Sequence, residues 1–135
     1  MSDKKDKEVK MVIIIRSDLK NTKGEKVRSG KIIAQACHSV LGFMWNNLKG
    51  KKVNFELSDE QMKWVQTGQT KIALKAKDEK ELVAIYQAAK DIGLSAELIT
   101  DAGRTEFGES TKTCCSIGPA YSEEVDKITG HLGLY

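Results

Sequence analysis

Met11-Val-Ile-Ile-Ile-Arg16 decides the fold. Five apolar residues in a row, four of them β-branched, leave no polar face. Such a run reads as a strand buried on both sides, the style of a central strand in an α/β sheet. A polar, glycine-marked stretch from Ser17 to Gly30 follows it. Lys31 to Leu48 then shows helical periodicity, with Ile33, Cys37, Val40, Leu41, Met44 and Leu48 at three- and four-residue spacings. Ser29 is the expected cap, and Cys37, on the apolar stripe, is expected in the core.

Leu57 to Val65 reads as a second helix capped by Ser58, with Asp59 and Glu60 in its first turn, and Gly68-Gln69 breaks it. Trp45 and Trp64 are expected to pack these two helices together. Thr70 to Ala76 is a strand. Asp78 to Ile92 is a helix with Asp78 and Glu81 at capping-box spacing and Gly93 as its stop. Ala96 to Thr100 and Thr111 to Ile117 are strands, the latter ending at Gly118-Pro119. Ser122 to Thr129 is a last helix, stopped by Gly130.

Helix-linked strands argue a parallel sheet. About ten residues join the third and fourth strands, too few for a helical crossover, so those two are antiparallel neighbours. The expectation is a single three-layer α/β/α domain with a mixed four-stranded sheet, its last strand antiparallel, spanning residues 11–135. Residues 1–10 read as a solvated tail with no membrane anchor, and the setting is cytoplasmic.

The 135 residues carry 22 Lys+Arg and 19 Asp+Glu, a net charge of +3. That balance hides an asymmetry. Met1 to Lys52 holds 13 basic and 5 acidic residues, or +8, and the remainder holds 9 and 14, or −5. A basic half suits an anionic partner, nucleic acid above all, although on charge alone a solvated face plus a charged tail is the simpler account. Three cysteines without a Cys-x-x-Cys pair exclude a disulfide framework, and two histidines at these spacings give no metal site. Cys114 and Cys115 are adjacent in a strand, so one is expected to point inward.

In open α/β sheets ligands bind beyond the carboxyl ends of the strands. Those ends feed the Ser17–Gly30 loop and the loop from Asp101 to Ser110, which is dense in hydrogen-bonding side chains such as Arg104. On the first helix Lys31, Gln35, His38 and Gly42 fall within about a 60° sector, a polar stripe beside the apolar face. Lys31 can hold a phosphate or an oxyanion, and His38 is a general-base candidate with Asp101 as its nominated partner. Gly24-Glu-Lys-Val-Arg-Ser-Gly30-Lys31 imitates a phosphate-binding P-loop. It has five residues between the glycines where four are needed, and Ile32 stands where magnesium needs a hydroxyl.

Taken in order, Val12-Ile-Ile-Ile-Arg-Ser-Asp-Leu19, Gly30-Lys-Ile-Ile-Ala-Gln-Ala-Cys-His38, Gly68-Gln-Thr-Lys71, Asp101-Ala-Gly-Arg-Thr105, Thr113, Ile117-Gly-Pro119 and Ile128-Thr-Gly-His-Leu132 resemble the archaeal/eukaryotic-type peptidyl-tRNA hydrolases. The resemblance covers Lys10 to Tyr135. It implies the same α/β/α fold and hydrolysis of the ester between a peptide and the 3′ ribose of tRNA, with no metal or other cofactor. It also implies an active site of Lys31, His38, Asp101 and Thr105, supported by Gln35 and Thr113. Arg104, Thr111, Arg16, Lys20 and Arg28 are the further candidates for gripping peptidyl-tRNA, and family members are often homodimers. The chain departs from the family pattern in an insertion around Lys23 to Arg28 and in Glu109-Ser110, where a Pro-Gly pair is usual. Two other classes stay open on the residues alone: a non-catalytic RNA- or protein-binding module, and an α/β hydrolase acting on a different ester.

Overall fold

The computed structural model of the protein describes residues 7–46 and 56–135. Met1 to Asp6, Leu48 at the end of the expected first helix, and the basic residues Lys49, Lys51 and Lys52 lie outside them.

The apolar run becomes β1 (Val9–Arg16), which begins two residues earlier than its sequence reading. It pairs in parallel with β2 (Lys71–Ala76) and antiparallel with β4 (Thr111–Tyr121). β4 pairs antiparallel with β3 (Ala96–Asp101), so the sheet order is β2-β1-β4-β3. β1, β2 and β3 all run the same way, and their carboxyl ends share one edge.

Alternate residues of β1 enter two layers. Val12 and Ile14 pack with Leu82, Ile85 and Val125, beneath α4 (Glu79–Asp91) and α5 (Ser122–Thr129). Ile13 and Ile15 pack with Ile32 and Cys114 beneath α1 (Ser29–Val40). Val9 and Met11 meet Phe43 and Trp64 from α2 (Gly42–Asn46) and α3 (Asp59–Gln66). The expected three layers are thus present, and burial on both faces explains the unbroken hydrophobic run.

Several local expectations are corrected. The first helix breaks at Leu41, after which Gly42 opens α2. A side chain at Gly42 would collide with Glu97 of β3, its Cβ lying 2.3 Å from that of Glu97. Arg28, not Ser29, is the N-cap of α1, and no side chain of its own caps the helix. Ser58 does cap α3, in a reciprocal box with Gln61. Asp78 accepts from the Glu81 N–H, while the Glu81 carboxylate reaches Lys77 N–H, so the second box is offset by one residue.

β4 does not stop at Gly118-Pro119. Lys10 faces Ala120 and Val12 faces Ile117, so Gly118 and Pro119 together oppose Met11 in a bulge. The proline sits where the ladder is already interrupted, which is how a central strand tolerates it. Gly118 has φ +110°, and a Cβ there would lie 2.7 Å from the Lys10 carbonyl oxygen. At the outer edge of the sheet the C-terminal residues pair with β2, Leu134 opposite Leu74, which closes an otherwise open strand.

Candidate active site

Asp101 ends β3 at the shared carboxyl edge. Its Oδ1 accepts from Lys31 Nζ at 2.7 Å and from Gln35 Nε2 at 3.2 Å, and its Oδ2 accepts from Gly103 N–H at 2.9 Å. The Asp-x-Gly spacing makes that last bond a local turn, with Gly103 at φ +80°. Lys31 also donates to Thr105 Oγ1 at 3.0 Å and stands 5.7 Å above the centre of the Phe107 ring. Only 15% and 12% of the Lys31 and Asp101 side chains are exposed. Burial pushes the Asp101 carboxyl up, but hydrogen bonds from Lys31, Gly103 and Gln35, with the Lys31 charge, outweigh it and hold the group below its ordinary value.

Gln35 is itself held from the far side. Thr113 Oγ1 donates to Gln35 Oε1 at 2.6 Å, and both residues are buried. That bond fixes the amide so that its NH₂ faces Asp101. Thr113 reaches Gln35 because of a second bulge. Ile99 faces Cys114 and Thr100 faces Lys112, so Thr113 is the extra residue in β4. Strict alternation would send Thr113 to the face opposite Cys114. The bulge instead puts both on the α1 side, where the Cys114 thiol donates to the Gln35 carbonyl. Losing the Thr113 hydroxyl would leave a buried amide oxygen unpaired, at a cost of about 1–3 kcal/mol.

The structure therefore gathers Lys31, Gln35, Asp101, Thr105 and Thr113 into one connected group. His38 is one turn further along α1 and exposed, and its side chain has no hydrogen bond among the described residues. The expected pairing of Asp101 with His38 is not formed: the carboxylate is bonded to Lys31, Gln35 and Gly103 N–H, and His38 lies one turn further along α1. Arg16 makes a two-pronged contact with Asp18 and donates to the Lys112 carbonyl, so its head is tied inward. Lys20, Arg28 and Arg104 are exposed, and Thr111 donates to the Glu109 carbonyl. Arg16, Asp18, Lys20, Phe107 and Thr111 border a cleft of about 310 Å³ beside the group.

Of the expectations about bystanders, that for Cys37 fails, and those for the tryptophans and for the Cys114-Cys115 pair hold only in part. Cys37 is exposed. Trp45 is 57% exposed, whereas Trp64 is buried edge-on against Phe43 at 5.7 Å. Cys114 and Cys115 are both buried, one on each face of the sheet, and burial pushes the Cys114 thiol up to about 11. Sequence reasoning missed Glu106, Phe107 and the Gly103 amide; only the last carries a sequence signal, the Asp-x-Gly turn.

Chemically the group offers an oriented cation with a hydroxyl beside it. Two of the three Lys31 protons are committed, leaving one for a ligand. Thr105 accepts from Lys31, so its own proton is free to donate. Such donors, fixed in advance, suit an oxygen that gains negative charge.

Comparison with known proteins places the chain in a family. The chain matches the family model described as Peptidyl-tRNA hydrolase PTH2 over residues 9–135. It is 40% identical over 126 residues to a peptidyl-tRNA hydrolase of Methanocaldococcus jannaschii, covering 93% of this chain and 99% of that one. It is 41% identical over 128 residues to a peptidyl-tRNA hydrolase of Methanothermobacter thermautotrophicus, covering 93% and 99%. A human relative, named as peptidyl-tRNA hydrolase 2, mitochondrial, is 37% identical over 128 residues, covering 95% of this chain and 65% of that one. Among solved structures, a protein of unknown function from Agrobacterium tumefaciens shares the fold, with a TM-score of 0.53 at 14% identity over 94% of this chain and 97% of that one. On the family match and the archaeal identities, the chain belongs to the peptidyl-tRNA hydrolase PTH2 family.

Proposed function

We propose that this protein hydrolyses the ester joining a peptide to the 3′ ribose of tRNA, releasing free tRNA for reuse in translation. The observation that carries the reading is the Lys31 ammonium, held by Asp101 and Thr105 at the carboxyl edge of the sheet with one donor to spare. In the reaction water attacks the ester carbonyl. Lys31 stabilises the oxyanion that forms, or the terminal phosphate of the tRNA. Thr105 donates to the ester. Asp101 anchors Lys31, and Gln35 with Thr113 anchors Asp101. His38, on the next turn of α1, takes the proton from water without help from Asp101 and returns it to the 3′ oxygen as the intermediate collapses and the ester C–O bond breaks.

Lys20, Arg28 and Arg104, exposed around this edge, meet the tRNA backbone, with Arg16 and Thr111 shaping the adjoining cleft. The reaction uses no metal and no cofactor, the Lys31 ammonium supplying the positive charge. The protein acts in the cytoplasm, where its three thiols stay reduced. Among the described residues no helix is long and apolar enough to cross a membrane. It works as a homodimer. The support is an exposed apolar groove of about 570 Å³, on the side of α1 away from the site, bordered by Ile33, Cys37, Leu41, Ile13, Ala73 and Tyr135. Release of tRNA from purified peptidyl-tRNA, with and without EDTA, tests the reading. Loss of activity in EDTA would remove the metal-free mechanism, and absence of release would remove the activity.

A further inference from the structure

We propose that Glu106 is a positioning residue of this site, latching the start of α1 to the loop after β3 and so fixing the Lys31 ammonium; the proposal rests on the hydrolase reading. Glu106 Oε1 accepts from Arg28 Nε at 2.5 Å, and its Oε2 accepts from Arg28 N–H at 3.3 Å. Arg28 is the N-cap of α1, so the carboxylate seats on the helix entry that the sequence leaves uncapped. The Glu106 carbonyl also accepts from Thr22 N–H at 2.9 Å. One residue thus ties both the loop before α1 and the helix itself to the loop from Asp101.

Both flanking residues of Glu106 touch Lys31. Thr105 accepts from its ammonium, and the Phe107 ring lies beneath it. Lys31 in turn donates its backbone N–H to the Arg28 carbonyl. Arg28 and Lys31 are one helical turn apart, and Glu106 stands between Thr105 and Phe107. A closed frame results, in which the carboxylate sets how far the helix entry sits from the loop. The Glu106 side chain is only 13% exposed, while that of Arg28 is 79% exposed. The acid is therefore the buried half of the latch, and no other described side chain caps this helix.

Misplacing a reacting group by about 1 Å can cost up to 10²-fold in rate. Glu106→Ala, with the fold checked by circular dichroism, should lower kcat on peptidyl-tRNA about tenfold with KM within about twofold. Glu106→Gln keeps the shape and loses the ion pair, and should lose at least about threefold in kcat; it carries the test if the alanine variant does not fold. Because Glu106 acts through Lys31, the loss should shrink below about twofold in a Lys31→Ala background. Equal losses in both backgrounds, or a kcat for Glu106→Gln equal to wild type, would overturn the latch. Carbon-13 titration of the Asp101 carboxyl needs no turnover and separates the two readings. Loosening Lys31 should move that titration up in the Glu106 variants even if the protein cleaves no peptidyl-tRNA, and an unmoved titration overturns the latch.

Discussion

Lys31 Nζ lies 2.7 Å from Asp101 Oδ1, and the two side chains are 15% and 12% exposed. A pair this sheltered is poorly screened by salt, and removing one partner leaves the other charge buried. The pair joins the first helix to the end of the third strand. It also leaves a donor of Lys31 facing outward at the edge where α/β sheets bind ligands.

The depressed titration of Asp101 makes part of the stability depend on acid. Its carboxyl is held below the ordinary value of 3.8, so the unfolded chain takes up the proton first. The contribution is complete above that value and is lost as pH falls through the lower, folded value. In urea unfolding, the stability gap between wild type and Asp101→Asn should be level from neutral pH to about pH 5 and close below it. A gap that widens with acid would contradict the assignment.

His38 stands apart from the bonded group, so its role is separable from theirs. As the base that takes the proton from water, it should contribute about 10²–10⁴ in rate. His38→Ala should lower kcat by that factor at unchanged melting temperature, because the side chain is exposed. A loss under about tenfold removes His38 from that role.

Exposed Lys20, Lys23, Lys26 and Arg28 precede or open α1. If they meet phosphates, displaced counterions make binding fall steeply with salt. KM should rise at least about tenfold between roughly 50 and 200 mM salt, and neutralising two of these residues should flatten the slope. A KM indifferent to salt would remove the contact.

The apolar groove predicts both mass and thiol reactivity. Cys37 lines it, whereas Cys114 is buried with its thiol pushed up to about 11. In a homodimer joined through the groove, iodoacetamide at neutral pH should label slowly. Ile33→Glu should convert two chains to one by light scattering and expose Cys37 to rapid labelling, with Cys114 and Cys115 still protected. A wild-type protein that is one chain at all concentrations would contradict the dimer.

The order of elements and the sense of each strand were legible because they follow from local signals. The apolar run of β1 announced burial on two faces, and the short link before β4 excluded a crossover. Lys31 and Gln35 were legible as one polar stripe because the helix period is local, and Asp101 as a strand end, but the residues alone paired Asp101 with His38; only the family resemblance grouped it with Lys31. Thr113 was not legible as a bulge, since a bulge is a property of two strands in register. For the same reason Pro119 read as a strand end. Cys37 and Leu41 shared an apolar spacing with core residues, yet the helix covers β3 and β4 more than β2, which leaves that stripe bare. Glu106 carried no motif. Its role depends on Arg28 lying 78 residues away in sequence and beside it in space.

The most direct measurement is single-turnover release of tRNA from purified peptidyl-tRNA by wild type and Lys31→Ala, each with EDTA. Wild type should release tRNA at the same rate with or without the chelator. Lys31→Ala should be slower by about 10²–10³, the usual loss for an oxyanion donor. Release by Lys31→Ala at the wild-type rate would contradict the account.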